Sequence, residues 1–262
     1  MLDAMAPSVP DVIDVAFTRV ELRQADVAVV VDVLRATSTA AQALAAGYRR
    51  VLCAESIDGA QQLRGPGRVL AGERHCVMPP GFDQGNSPRE AIVRRGDELV
   101  LATTNGAPTI VAAAGHAPTV LLASLLNLGA VGRALRSRTR GRKLDVQIVC
   151  SGTDGAVALE DVYVAGRLTA ALPGDRTDAA RVAEAVARAF ETPLEALAAS
   201  ADAAALTEAN LSGDIEYCAR ESQLDVVPAV IAAGTGMAVI ATQEDVHDPA
   251  GARRHATLPT AS

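Results

Sequence analysis

Residues 29–44, VVVDVLRATSTAAQAL, pass from an uninterrupted apolar run through Asp32 and Arg35 into a stretch of small residues and leucine. The valines predict a strand buried on both faces, because a half-exposed strand would alternate apolar with polar residues. Thr37, Ser38 and Thr39 then open an Ala/Leu-rich helix. A carboxylate and a guanidinium therefore occupy a strand-to-helix turn, the place where open parallel sheets bind ligands. Taken alone, Asp32 and Arg35 read equally well as a surface ion pair.

Working outward, the same pattern repeats. Strands are predicted over 27–33, 50–54, 68–71, 98–102, 119–123 and 144–150. Helices are predicted between them, over 39–46, 57–63, 88–95, 107–114 and 126–138. From Glu160 to about Arg220 the chain reads as consecutive helices, and DVVPAVI and GMAVIATQ return it to strand. This order predicts an α/β protein, a three-layer α/β/α sandwich with a mainly parallel or mixed sheet. No linker or internal repeat divides it, so the expectation is one domain over 1–262, with its core at about 12–242 and the tail HDPAGARRHATLPTAS disordered.

The 262 residues are 49% hydrophobic with a formal net charge of -7, and only 2% are aromatic. That combination argues against a nucleic-acid-binding face, which needs basic patches and stacking rings. Lys143 is the only lysine, so an anion here is bound by arginine, backbone N–H groups or a metal. Cys53, Cys76, Cys150 and Cys218 form no C-x-x-C pair, which points to a reducing cytoplasm rather than a disulfide or zinc framework. No leader-like segment and no membrane-length apolar run is seen, and a homodimer is expected only as the usual state of soluble enzymes.

The segments after the predicted strands carry the polar chemistry: DVLRATST, GERHCVMPPGFDQGNSP, TTNGAP, SLLN and SGTDG. In a parallel sheet these would meet at one edge, gathering Asp32, Arg35, Glu73, Arg74, Asn86, Ser87, Thr104, Asn105, Asn127 and Ser151. Thr37, Ser38, Ser87 and Asn105 precede helical stretches and so read as N-caps at helix ends that can hold a phosphate-like anion. Asp32, Glu73 and the pair Glu160-Asp161 would add the hard oxygen ligands that Mg²⁺ prefers. The plainer readings are ordinary caps, and for Glu160-Asp161 a complement to the helix dipole. His75 reads either as catalytic or as an exposed loop residue; Cys53 and Cys150 read as buried filler.

A P-loop is absent, no cysteine is followed by arginine at the spacing of cysteine phosphatases, and GTGMAV is a poor dinucleotide fingerprint. DVLRATST, GER, GFDQGNSP, TTNG, SLLN and LEDVYVAG together resemble the 2-phosphosulfolactate phosphatase family, in order and spacing over roughly residues 14–240, and GDIEYCA and DVVP are also similar to it. The resemblance implies a Mg²⁺-dependent phosphatase that converts 2-phospho-3-sulfolactate to 3-sulfolactate on a route to coenzyme M. It implies that Asp32 attacks phosphorus or holds the metal, with Glu73, Glu160 and Asp161 as further ligands. Arg35 and Arg74 would grip the small anionic phosphorylated substrate, and Thr37, Ser38, Asn86, Ser87, Thr104, Asn105, Gly106 and Asn127 would bind it. His75 and Cys76 stand where the family commonly has glycines, and Ala107 where it has threonine, which bears on substrate choice. Three other readings use the same loops: a non-catalytic sensor of a phosphorylated or sulfonated metabolite, a phosphatase for another small ester, and a lyase acting on a related sulfonated substrate, which would release no inorganic phosphate.

Overall fold

The computed structural model describes residues 12–139 and 143–243; the expected disordered tail lies outside them. Among the described residues ten strands form one sheet in the order β4-β5-β3-β10-β9-β6-β2-β7-β1-β8. These are β1 (Val12–Ala16), β2 (Val27–Val31), β3 (Arg50–Ala54), β4 (Arg68–Gly72), β5 (Glu98–Ala102), β6 (Thr119–Ala123), β7 (Asp145–Cys150), β8 (Asp175–Arg176), β9 (Pro228–Gly234) and β10 (Met237–Thr242). The helices are α1 (Ala36–Ala45), α2 (Ile57–Gln62), α3 (Gly106–Ala114), α4 (Leu128–Thr139), α5 (Leu159–Ala170), α6 (Asp178–Arg188), α7 (Pro193–Ala198), α8 (Ala201–Glu208) and α9 (Ser212–Cys218).

Along β2, Ala28 and Val30 face one apolar core while Val29 and Val31 face another. That two-sided burial is why the strand is apolar throughout. One core packs α1 and α3 onto the sheet. The opposite face carries residues of α4 to α9 over β1, β2, β6 and β7, and α2 lies over β3, β4 and β5. The α/β/α sandwich is therefore present.

Four expectations change. The strand Val12–Ala16 was not anticipated, because Asp14 interrupts its apolar run; in the fold that carboxylate is held by Thr177, Arg23 and Gln147. Residues 88–95 form only a short 3₁₀ turn at Glu90–Ile92, after which Val93 is extended. The run of helices after Glu160 is broken by β8, which pairs with β1. The sheet is mixed, as expected, but its C-terminal hairpin enters the middle, which removes the expected common carboxyl edge. β9 is antiparallel to β6, β10 to β9, and β3 to β10. The β3-β5-β4 group thus runs opposite, along the ladder, to the β6-β2-β7-β1-β8 group. A single carboxyl edge does not exist, yet α1 and α3 share one core with strands of both groups, and this brings their loops together.

Candidate active site

The turn after β2 is clamped by its own side chains. Asp32 Oδ1 accepts from the Ala36 N–H at 2.9 Å, and the Asp32 carbonyl accepts from the Thr37 N–H and from Thr37 Oγ1. Ser38 Oγ donates to the Val33 carbonyl at 2.8 Å. Thr37 and Ser38 are therefore not caps aimed at a ligand. They lie fully buried inside the first turn of α1, and Asp32 does the capping. At α3 the Asn105 side chain makes no capping bond; Thr103 Oγ1 accepts the Ala107 N–H instead, while the Thr104 N–H goes to Glu73. The N–H groups of Ala36, Thr37, Thr104 and Ala107 are thus already satisfied by the chain itself.

Asp161, on the first turn of α5, ties two loops together. Its Oδ1 accepts from the Val33 N–H at 2.9 Å and its Oδ2 from the Gly152 N–H at 3.3 Å. Glu73 does the same for the β4 and β5 loops, accepting from the Thr104 N–H, Thr104 Oγ1 and the Cys76 N–H. Asn105 Oδ1 accepts from the Asp154 N–H. These bonds join segments that follow β2, β4, β5 and β7.

Between them lies a cavity of about 360 Å³, a size suited to a small ligand. Asp32, Glu73, Asp154, Glu160, Asp161, Asp202 and Glu208 bring carboxylates to it; Arg35 is the one arginine among its described lining residues. His75, Cys76, Asn86, Thr104 and Asn105 also line it, and Leu34, Ala205, Leu206 and Ala209 make an apolar wall. Burial, with the charges of Asp202 and Glu73, raises Asp32 to about 7. Burial and Asp202 raise Glu160 to about 8, and Asp161 is pushed well above its ordinary value by burial and by Glu160. Burial likewise raises the Cys76 thiol, so it is not a ready thiolate nucleophile.

Crowded carboxylates with raised proton affinity are the setting in which a divalent cation relieves repulsion. Asn86, 3% exposed, adds an Oδ1 with no hydrogen-bond partner at the same cavity. The donor set thus fits Mg²⁺ in its chemistry, all hard oxygens. Among the described residues, however, no three His, Cys, Asp or Glu side chains are yet arranged around one point to enclose an ion. Side-chain rotation would have to complete the shell.

Several expected residues are elsewhere. Arg74 turns its guanidinium to the carbonyls of Glu73 and Glu55 and does not line the cavity. Ser87 donates to Asp214. Asn127 is fully buried outside the cavity, where its Oδ1 accepts from the Ser124 N–H and its Nδ2 donates to the Leu122 and Val226 carbonyls. It pins the β6 loop rather than touching substrate. Asn127→Ala should therefore lower stability by about 2–3 kcal/mol, read as a fall in the thermal midpoint, while leaving KM unchanged. Ala107 also faces the apolar core, not the cavity. His75 and Cys76 both have positive φ, 48° and 64°, the backbone region that glycine adopts without strain.

Gly106 has a steric reason. A Cβ there would collide with Ala36 Cβ and with Asp32 Oδ2. Gly106→Ala should displace the Asp32 carboxylate, costing about 1–3 kcal/mol of stability and roughly 10²-fold in kcat/KM. Thermal melting and steady-state kinetics on the same sample check both.

Asp202 and Asp214 were not anticipated. Asp202 accepts from Thr153 Oγ1 and adjoins Glu160, and Asp214 is paired with Arg35. Each sits in the first turn of its helix, where an acid looks like a dipole complement. A signal was nevertheless available for Asp214, in the GDIEYCA segment.

A family model described as 2-phosphosulpholactate phosphatase matches residues 16–232. A Thermus thermophilus protein named probable 2-phosphosulfolactate phosphatase is 43% identical over 211 residues, spanning 78% of this chain and 88% of that protein. One from Deinococcus radiodurans with the same name is 40% identical over 215 residues, spanning 79% and 88%. Another so named, from Pseudothermotoga lettingae, is 37% identical over 221 residues, spanning 84% and 96%.

Proposed function

The chain belongs to the 2-phosphosulpholactate phosphatase family, and from that premise we propose that it hydrolyses 2-phospho-3-sulfolactate to 3-sulfolactate and inorganic phosphate, with Mg²⁺ bound. The observation that carries the reading is the cavity itself. It sets Asp32, Glu160, Asp161 and Asp202 together with Arg35, an arrangement with little use to a pure anion binder. The product, 3-sulfolactate, would then enter a route to coenzyme M. Among the described residues no helix is long and apolar enough to cross a membrane; the cytoplasmic location is part of the proposal.

Asp32, Glu160, Asp161 and Asp202 would hold the metal, with Glu73 and Asn86 lining the same cavity. When bound, Mg²⁺ supplies Lewis-acid polarisation of phosphoryl oxygens and offsets the charge of the carboxylates. Asp161 holds the loops after β2 and β7 in register through its two backbone bonds. The Arg35 guanidinium takes phosphoryl oxygens and stabilises the charge that spreads over them in the transition state. Asp32 either attacks phosphorus, forming an aspartyl phosphate as the sulfolactate oxygen leaves and takes a proton, or orients the attacking water; borohydride reduction of a sample quenched during turnover converts Asp32 to homoserine only in the first case.

Specificity for the sulfonated ester is tested by comparing kcat/KM for 2-phospho-3-sulfolactate with phospholactate, phosphoglycerate and phosphoenolpyruvate. A preference of at least about 10²-fold is expected if the sulfonate is recognised. Equal rates on all four would move the substrate. Tight binding without turnover would make the protein a sensor.

A further inference from the structure

Arg35 lines the cavity, yet its side chain is only 3% exposed because a second layer holds it. Its Nη1 donates to Asp214 Oδ2 at 2.7 Å, and Asp214 Oδ1 accepts from Ser87 Oγ at 2.7 Å. Arg35 comes from the turn after β2, Ser87 from the segment between β4 and β5, and Asp214 from α9 in the helical layer. Asp214 is 1% exposed and is not among the cavity-lining residues. It cannot meet substrate itself.

A guanidinium on its long stem loses considerable freedom when it must hold one pose. A buried carboxylate that takes one N–H of the fork, and is itself fixed by a hydroxyl, sets the plane of the guanidinium in advance. The rest of the fork is left for the cavity that Arg35 lines. We propose that Asp214 is a positioning residue for the reaction, orienting Arg35 toward the phosphoryl oxygens, with Ser87 holding Asp214 in turn. This rests on the reading of Arg35 as the phosphoryl-binding cation. It also makes the seating of α9 a condition for a competent anion site.

The test compares Asp214→Asn, Asp214→Glu, Ser87→Ala, Arg35→Lys and the Asp214→Asn/Arg35→Lys double variant as full-length, Mg²⁺-loaded protein. Thermal midpoint, kcat, KM and the inhibition constant of inorganic phosphate are measured for each. Asp214→Asn should lower kcat/KM about thirty-fold and weaken phosphate inhibition by a similar factor. Asp214→Glu should recover most of both, and the double variant should fall no more than about twofold below Arg35→Lys alone, because the two act through one group.

Parental kinetics and phosphate inhibition in Asp214→Asn, with a loss in Arg35→Lys, would overturn the positioning role and leave the functional reading standing. Parental behaviour in both would overturn the role of Arg35 and this inference with it. If Asp214→Asn does not fold, Ser87→Ala decides, since it keeps every charge. A several-fold loss in both constants at an unchanged thermal midpoint supports the inference; unchanged constants overturn it.

Discussion

Asp32→Asn should reduce phosphate release by at least about 10³-fold and at the same time raise the thermal midpoint of the metal-free protein. The first effect follows from the place of Asp32 at the cavity, whichever of its two chemical routes operates. The second follows from its titration. Burial, Asp202 and Glu73 raise it from 3.8 to about 7, so the folded form holds a proton that the unfolded chain releases. Its ionisation therefore lowers stability progressively as pH rises from about 4 to about 7. Asparagine never ionises, yet it keeps an oxygen to accept the Ala36 N–H, so the start of α1 survives. At pH 8 the relief should be on the order of 1–3 kcal/mol, or about 5 °C in thermal midpoint. An inactive variant that melts higher is the signature of a residue kept for chemistry at the expense of stability. A variant that melts lower and retains activity would contradict both halves.

The other large effect is the response to metal. Without it, stability should fall from about pH 4 to about pH 8, because these carboxyls titrate at about 4 in the unfolded chain, whereas in the fold Asp32 titrates at about 7 and Glu160 at about 8, both raised chiefly by burial, with Asp161 raised well above its ordinary value by the same cause. Groups with the opposite sign do not interfere. Asp14 and Glu184 are lowered by their partners, so their contribution is present above the ordinary carboxylate range and is lost only in acid below it. Mg²⁺ competes with those protons and should stabilise most at the alkaline end. At a hundred times its dissociation constant the gain is about 2.7 kcal/mol, roughly 5–10 °C, shrinking toward pH 5.5 and abolished by EDTA. Thermal melts across that range, with Mg²⁺ and with EDTA, provide the measurement. A pH-independent midpoint in EDTA, or no shift with Mg²⁺ at pH 8, would count against the carboxylate cluster as the metal site.

The residues from Val27 to Ala45 were readable because their signal is local: a doubly buried strand must be apolar, and a polar turn must follow it. Glu73, Glu160 and Asp161 were readable because they stand in loops or at helix starts beside recognisable motifs. The insertion of β9 and β10 between β3 and β6 was not, since apolar periodicity identifies a strand but not its neighbours. Thr37 and Ser38 were placed at the right turn and given the wrong partners, because a hydroxyl near a helix start serves backbone or ligand with the same sequence signature. Arg74 and Asn127 likewise spend their N–H groups on backbone carbonyls, a choice of partner that the residue type does not reveal. Asp202 depends on how the helical layer folds back over the sheet, a long-range packing outcome that no short window contains, whereas Asp214 stands in the GDIEYCA segment but its pairing with Arg35 is set by the same packing.

The central claim is that the Asp32 cavity hydrolyses a phosphate ester with a bound divalent cation. Its most direct test is inorganic phosphate release from 2-phospho-3-sulfolactate by the parent and by Asp32→Asn, each with Mg²⁺ and with EDTA. The expected result is one phosphate per sulfolactate formed by the parent with Mg²⁺, and near-background release in the other three reactions. Equal release by Asp32→Asn, or undiminished release by the parent in EDTA, would contradict it.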